Sequence, residues 1–134
     1  MSNGKNILVA LDVEFERALE IAKQLKPFYY GLKIGMSLYN KIGPQGLQKF
    51  DELNVPLFLD LKFHEIPSIV SKTINTFKQF KNIEFMTVHS LSSKKMIEES
   101  VKAAKDISDK LNIMAVTILT SNNQTDLQNI GIQN

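Results

Sequence analysis

Five apolar runs divide the chain, and each ends on a polar or charged residue. Residues 5–11 end at Asp12, and residues 29–32 end in Lys33-Ile34-Gly35. Residues 55–59 end at Asp60, residues 83–88 in His89-Ser90 and residues 112–119 in Thr120-Ser121. Four of the five are short, β-rich and without clean alternation, which predicts parallel strands covered on both faces. Between them lie helical stripes: Phe15, Ala18, Leu19, Ala22 and Leu25; then Ile69, Val70, Thr73, Ile74, Phe77 and Phe80, starting just behind Pro67. Ile97, Val101, Ala104, Ile107 and Leu111 make another. Over residues 37–53 the spacing predicts a short helical turn at Leu38-Tyr39, a break at Gly43-Pro44 and a helix from 45 to 53.

Strand and helix therefore alternate five times, the pattern of a parallel α/β sheet. A doubly wound nucleotide-binding sheet would carry a glycine-rich turn after its first strand. Here that turn reads Asp12-Val13-Glu14-Phe15, with no glycine. A barrel gathers its reactive groups at the C-terminal ends of several strands, as this chain does. The expectation is an α/β fold of the TIM (β/α)8-type barrel class. Such a barrel takes about 250 residues, and 134 are present. The reading is thus one domain over 1–134, holding the first five strand–helix units and truncated before the late strands. Its open fifth strand would need a cover.

Composition narrows this only slightly. The absence of cysteine excludes disulfide and thiolate chemistry and fits a cytoplasmic setting. The apolar residues before Asp12 are too few for a signal peptide or a membrane span. Lys94, Lys95, Lys102 and Lys105 read as a solvated helix face, and a net charge of +2 points to no nucleic-acid partner. His64 and His89 are isolated in the sequence, so no metal-ligand cluster is evident. His89 reads as a hydrogen-bonded structural residue at a strand end.

Asp60-Leu61-Lys62-Phe63-His64-Glu65-Ile66-Pro67 carries the strongest chemical signal. Residues two apart in a strand share a face, so the Asp60 carboxylate and the Lys62 ammonium point the same way. The bland alternative is an ordinary strand-end ion pair, which contributes little at a surface.

In order and spacing, five blocks together resemble the orotidine 5'-phosphate decarboxylase family. They are Leu8-Val9-Ala10-Leu11-Asp12, Leu32-Lys33-Ile34-Gly35, the stretch from Phe58 to Pro67, Thr87-Val88-His89, and the stretch from Ala115 to Ser121. The resemblance covers the whole chain but only the first half, or slightly more, of the family's barrel. It implies cofactor-free decarboxylation of orotidine 5'-monophosphate to uridine 5'-monophosphate in pyrimidine biosynthesis, with no metal. Carried over by position, Lys62 protonates the pyrimidine carbon as carbon dioxide leaves, and Asp60 lies beside it near the substrate carboxylate. Lys33 bonds the ribose and pairs with the acids, and Asp12 binds a ribose hydroxyl. Ile66, Thr120 and Ser121 carry over as substrate-binding positions. Interleaved charges of this kind offset each other's desolvation. An ammonium beside a developing carbanion stabilises it and can then deliver the proton.

The chain departs from the family's block at two positions. Glu65 stands where the family has the aspartate that completes the neighbouring subunit's charged site across a dimer interface. Ile69 stands where it has a threonine. The resemblance therefore implies a homodimer, or a second chain supplying the missing barrel half. The family's late phosphate-binding loops have no counterpart in the sequence. Two alternatives follow: an inactive remnant or non-catalytic partner of the enzyme, or a related magnesium-dependent sugar-phosphate lyase sharing an Asp-x-Lys-x-x-Asp pattern. Phe63-His64-Glu65-Ile66-Pro67 argues against the lyase.

Overall fold

The computed structural model of the chain describes residues 6–132. Five strands form one parallel sheet in sequential order: β1 Leu8–Ala10, β2 Gly31–Gly35, β3 Leu57–Phe63, β4 Ile83–His89 and β5 Asn112–Val116. The helices are α1 Phe15–Gln24, α2 Met36–Asp51, α3 Pro67–Asn75, α4 Lys94–Ile107 and α5 Gln124–Asn129. Each parallel neighbour is reached through a helical crossover, as parallel pairing requires. The sheet is open, with β1 and β5 as its edges, and the architecture is a partial (β/α) barrel.

One face of the sheet is closed. Leu32 and Ile34 of β2, Leu57, Leu59 and Leu61 of β3, and Met86 and Val88 of β4 are all buried. They pack with Ala18 and Ala22 of α1, Leu47 and Phe50 of α2, Val70 and Ile74 of α3, and Met96, Ala103 and Ala104 of α4 in one core. The opposite, concave face carries Lys33, Phe58, Asp60, Lys62 and Phe85, which are only half-buried. Coverage of both faces, expected from the lack of alternation, is therefore not what these residues have. The concave face is also partly apolar, with Phe58 and Phe85 edge-to-face at 5.9 Å, so a one-sided sheet reads as a continuous apolar run.

One element differs from the sequence expectation and another follows it. β3 does not stop at Asp60 but runs to Phe63, because its backbone bulges and the pairing with β4 resumes beyond the charged residues. Residues 36–51 are two helical legs that meet in a break at Gly43, as the sequence predicts. Gly43 sits at φ 58° and ψ −166°, a region only glycine occupies freely, and Pro44 starts the second leg. That leg ends at buried Asp51, whose carboxylate accepts from the backbone N–H groups of Lys81 (3.2 Å) and Asn82 (2.9 Å). It thereby ties α2 to the turn entering β4. Lys94, Lys95, Lys102 and Lys105 are exposed, as expected. Among the described residues, no helix is long and apolar enough to cross a membrane.

The bend gives a direct test of the fold. Gly43→Ala places a Cβ in a backbone region closed to it and should cost roughly 1–3 kcal/mol, read as a lower urea midpoint at unchanged slope. An unchanged midpoint would show that the bend does not depend on glycine.

Candidate active site

Asp12, Lys33, Asp60 and Lys62 converge on the concave face. Asp12 follows β1, whose pairing continues one residue further as the Leu11 N–H donates to the Lys33 carbonyl at 3.0 Å. Lys33 of β2 lies in register with Ala10 and Phe58, and Gly35 with Asp60. The charges form an alternating chain. Lys33 Nζ stands 3.7 Å from Asp12 Oδ2 and 3.6 Å from Asp60 Oδ2, and Lys62 Nζ stands 2.8 Å from Asp60 Oδ1. Lys62 is thus hydrogen-bonded to Asp60. Lys33 is suspended between two carboxylates without closing on either, which leaves its N–H groups available to a third acceptor.

Exposure grades along this chain. The Asp12 side chain is 69% exposed and that of Asp60 only 14%. Burial alone would raise the Asp60 carboxyl's pKa. Hydrogen bonds from Lys62 and Thr87 and the charges of Lys62 and Lys33 outweigh it and hold the group below its ordinary value of 3.8. The site therefore keeps a fixed negative charge between two ammonium groups.

Sequence reasoning gave Thr87 no role. Its hydroxyl is buried under the cluster, donates to Asp60 Oδ1 at 3.0 Å and accepts the Lys62 backbone N–H at 2.8 Å. The signal was the period of two in β4, which puts Thr87 on the face of Phe85, where a buried hydroxyl needs partners. The histidines are not isolated in space: the rings of His64 and His89 stack at 5.3 Å with 18° between planes. The ends of adjacent parallel strands bring them together. His89 Nδ1 also accepts the Leu91 N–H at 3.3 Å.

The remaining expected residues lie apart from the four charges. Glu65 is exposed, and its Oε1 accepts the backbone N–H of Ile66 at 2.7 Å. Ile66 is the exposed residue that precedes α3. Thr120 and Ser121 occupy an exposed turn between β5 and α5. Among the described residues, no hydrogen bond or ion pair joins Glu65, Ile66, Thr120 or Ser121 to the cluster. Nor does any group of three or more histidine and carboxylate side chains there have the placement to hold a metal ion.

A carboxyl whose pKa is depressed by folding stabilises the protein above its unfolded value, and that stability is lost as pH falls through the folded value. Asp60→Asn should therefore be less stable than the parent at neutral pH, with the gap narrowing on acidification below about pH 4. Urea unfolding across a pH series reads this directly. A gap that stays constant into acid would remove Asp60 from the ion-paired role.

The Orotidine 5'-phosphate decarboxylase / HUMPS family model matches residues 5–134. The chain is similar to the orotidine 5'-phosphate decarboxylase of Wolbachia sp. subsp. Brugia malayi, 39% identical over 127 residues, covering 94% of this chain and 55% of the relative. The Marinomonas sp. enzyme of the same name is 37% identical over 134 residues, covering 98% and 57% respectively. Among solved structures, the Lactobacillus acidophilus orotidine 5'-phosphate decarboxylase superposes with a TM-score of 0.82 at 29% identity, over 92% of this chain and 58% of that one. The chain thus spans a little over half the length of the relatives it matches. With this match across its whole described length, the chain belongs to the orotidine 5'-phosphate decarboxylase / HUMPS family.

Proposed function

We propose that these residues form the proton-donating part of an orotidine 5'-phosphate decarboxylase, releasing carbon dioxide from orotidine 5'-monophosphate to give uridine 5'-monophosphate in the cytoplasm. The observation that carries the reading is the alternating chain Asp12–Lys33–Asp60–Lys62 on the concave face. In this reading the bond from the pyrimidine ring to its carboxyl carbon breaks and its electron pair stays on the ring carbon. The Lys62 ammonium offsets the growing negative charge and then donates its proton to that carbon. Solvent reprotonates Lys62.

Asp60 stands where the substrate carboxylate would approach, so it disfavours the bound acid more than the neutral carbon dioxide that departs. Lys33, with no bond closed to either neighbour, supplies donors to the ribose, and exposed Asp12 accepts from a ribose hydroxyl. Ile66, Thr120 and Ser121 contact the substrate in this reading. Phosphate binding falls to segments outside residues 1–134, since barrels hold phosphate after their late strands. The rate should depend on those segments as well, because remote binding energy is realised at the reacting centre.

Glu65 has its place in this reading at a homodimer interface, its carboxylate serving the partner's Lys62. In the single chain it folds back on Ile66 instead. Its extra methylene relative to aspartate supports a second reading, an inactive remnant or non-catalytic partner of the enzyme, as does Ile69, which lacks a hydroxyl worth about 0.5–1.5 kcal/mol in one hydrogen bond.

A fusion of residues 1–134 to the remaining part of the Wolbachia relative supplies the late strands. Absorbance should then report loss of orotidine 5'-monophosphate, and Lys62→Ala should slow it by about 10²–10⁴-fold. A folded fusion that is inactive, or active without Lys62, would overturn the assignment. In the same fusion Glu65→Asp should raise the rate by up to about a hundredfold, the scale of a 1 Å misplacement. An unchanged rate would show that the longer side chain already reaches its place.

A further inference from the structure

The pairing of β3 with β4 contains a discontinuity at the site. Leu59 pairs with Met86, and the next pair is Phe63 with Val88. Four steps along β3 are thus set against two along β4, and the backbone of residues 60–62 has no regular ladder partner on β4. Within the bulge Lys62 adopts φ 50°, uncommon for a residue with a side chain. Such a conformation persists only where its surroundings over-determine it.

Thr87 lies between the two paired positions on β4, directly across from the bulge. It is 3% exposed, and its hydroxyl uses donor and acceptor capacity at once: Oγ1 accepts the Lys62 N–H at 2.8 Å and donates to Asp60 Oδ1 at 3.0 Å. It therefore substitutes for the missing ladder acceptor. It also occupies the carboxylate oxygen that bonds Lys62 Nζ, leaving Oδ2 to Lys33.

We propose that Thr87 is a positioning residue, a side-chain hydroxyl on β4 that pins the β3 bulge and so holds the Asp60 carboxylate and the Lys62 ammonium in mutual contact. Its consequence for catalysis rests on the decarboxylation reading, whereas the positioning itself does not. Valine has the same branched outline but would leave the Lys62 N–H without its acceptor and remove one of the two donors to Asp60 Oδ1. Serine keeps the hydroxyl and removes only a methyl.

The test is nuclear magnetic resonance on the folded chain, with no substrate present. In the parent, the Lys62 amide should exchange with solvent as slowly as ladder amides of β3. In Thr87→Val it should exchange about tenfold faster or more, and the Asp60 carboxyl should titrate at higher pH. Lys33, Lys62 and Asp12 are unsubstituted in this variant, so the difference reports what the hydroxyl bonds and holds in place. Thr87→Ser should keep both properties near those of the parent. A folded Thr87→Val with unchanged exchange and titration would overturn the proposal. If that variant does not fold, a parent Lys62 amide that exchanges as fast as loop amides would overturn it equally. Failure of decarboxylation in the fusion would leave each of these readouts standing, so the two ideas fail separately.

Discussion

The Asp60 carboxylate is the constraint around which the concave face is arranged. Lys33 and Lys62 project from neighbouring strands into the same half-buried space, and without an anion between them their ammonium groups would repel. Asp60 resolves this by giving one oxygen to each, 3.6 Å from Lys33 and 2.8 Å from Lys62. The solution carries a backbone cost. Lys62 meets Asp60 on its own strand where β3 bulges and Lys62 takes a left-handed φ, and Thr87 satisfies the N–H that the bulge leaves out of the ladder. Charge placement, strand register and one hydroxyl are therefore a single coupled arrangement. A partly satisfied network of this kind is worse than none, so its members are expected to fail together.

The two faces of the sheet divide the work. The convex face buries leucine, isoleucine, valine and methionine against four helices and supplies the hydrophobic stabilisation of the described residues. The concave face holds the charged groups and two phenylalanines, none of them fully buried. Lys33 and Leu32 are chain neighbours with opposite assignments, one in the site and one in the core, because side chains alternate along a strand. Substitutions at the charged positions can thus change chemistry with limited effect on the core, while the bulge at residues 60–62 is where the two faces are mechanically linked.

Much of this is legible in the sequence, for identifiable reasons. The five strands stand out as apolar runs, and their polar terminators include Asp12, Lys33 and Asp60, with Lys62 two residues on, beside His89-Ser90 and Thr120-Ser121. The break at Gly43-Pro44 is readable because both residues act on the backbone locally. Other features are not legible. The extension of β3 to Phe63 depends on a bulge whose cause is on β4, a long-range pairing that local pattern does not encode. Thr87 looks like one more β-branched strand residue, since its partners are 25 and 27 positions away. His64 and His89 look isolated because strand adjacency, not sequence spacing, stacks them. The one-sidedness of the sheet is hidden by Phe58 and Phe85, apolar residues on the chemically active face.

The same geometry separates two tasks that an enzyme of this family must combine. In the proposed reaction, making a carbanion tolerable requires fixed charges near the reacting carbon, and Asp12, Lys33, Asp60 and Lys62 bring alternating charges together from three adjacent strands. Holding a phosphorylated substrate against Asp60 requires binding energy from elsewhere, because bringing a carboxylate toward a carboxylate is unfavourable. An ammonium on each side of Asp60 reduces that penalty only in part, since Lys62 is already bonded to Asp60 and Lys33 stands between two carboxylates. In the proposed reaction this charge cluster alone would thus retain a carboxylate substrate poorly.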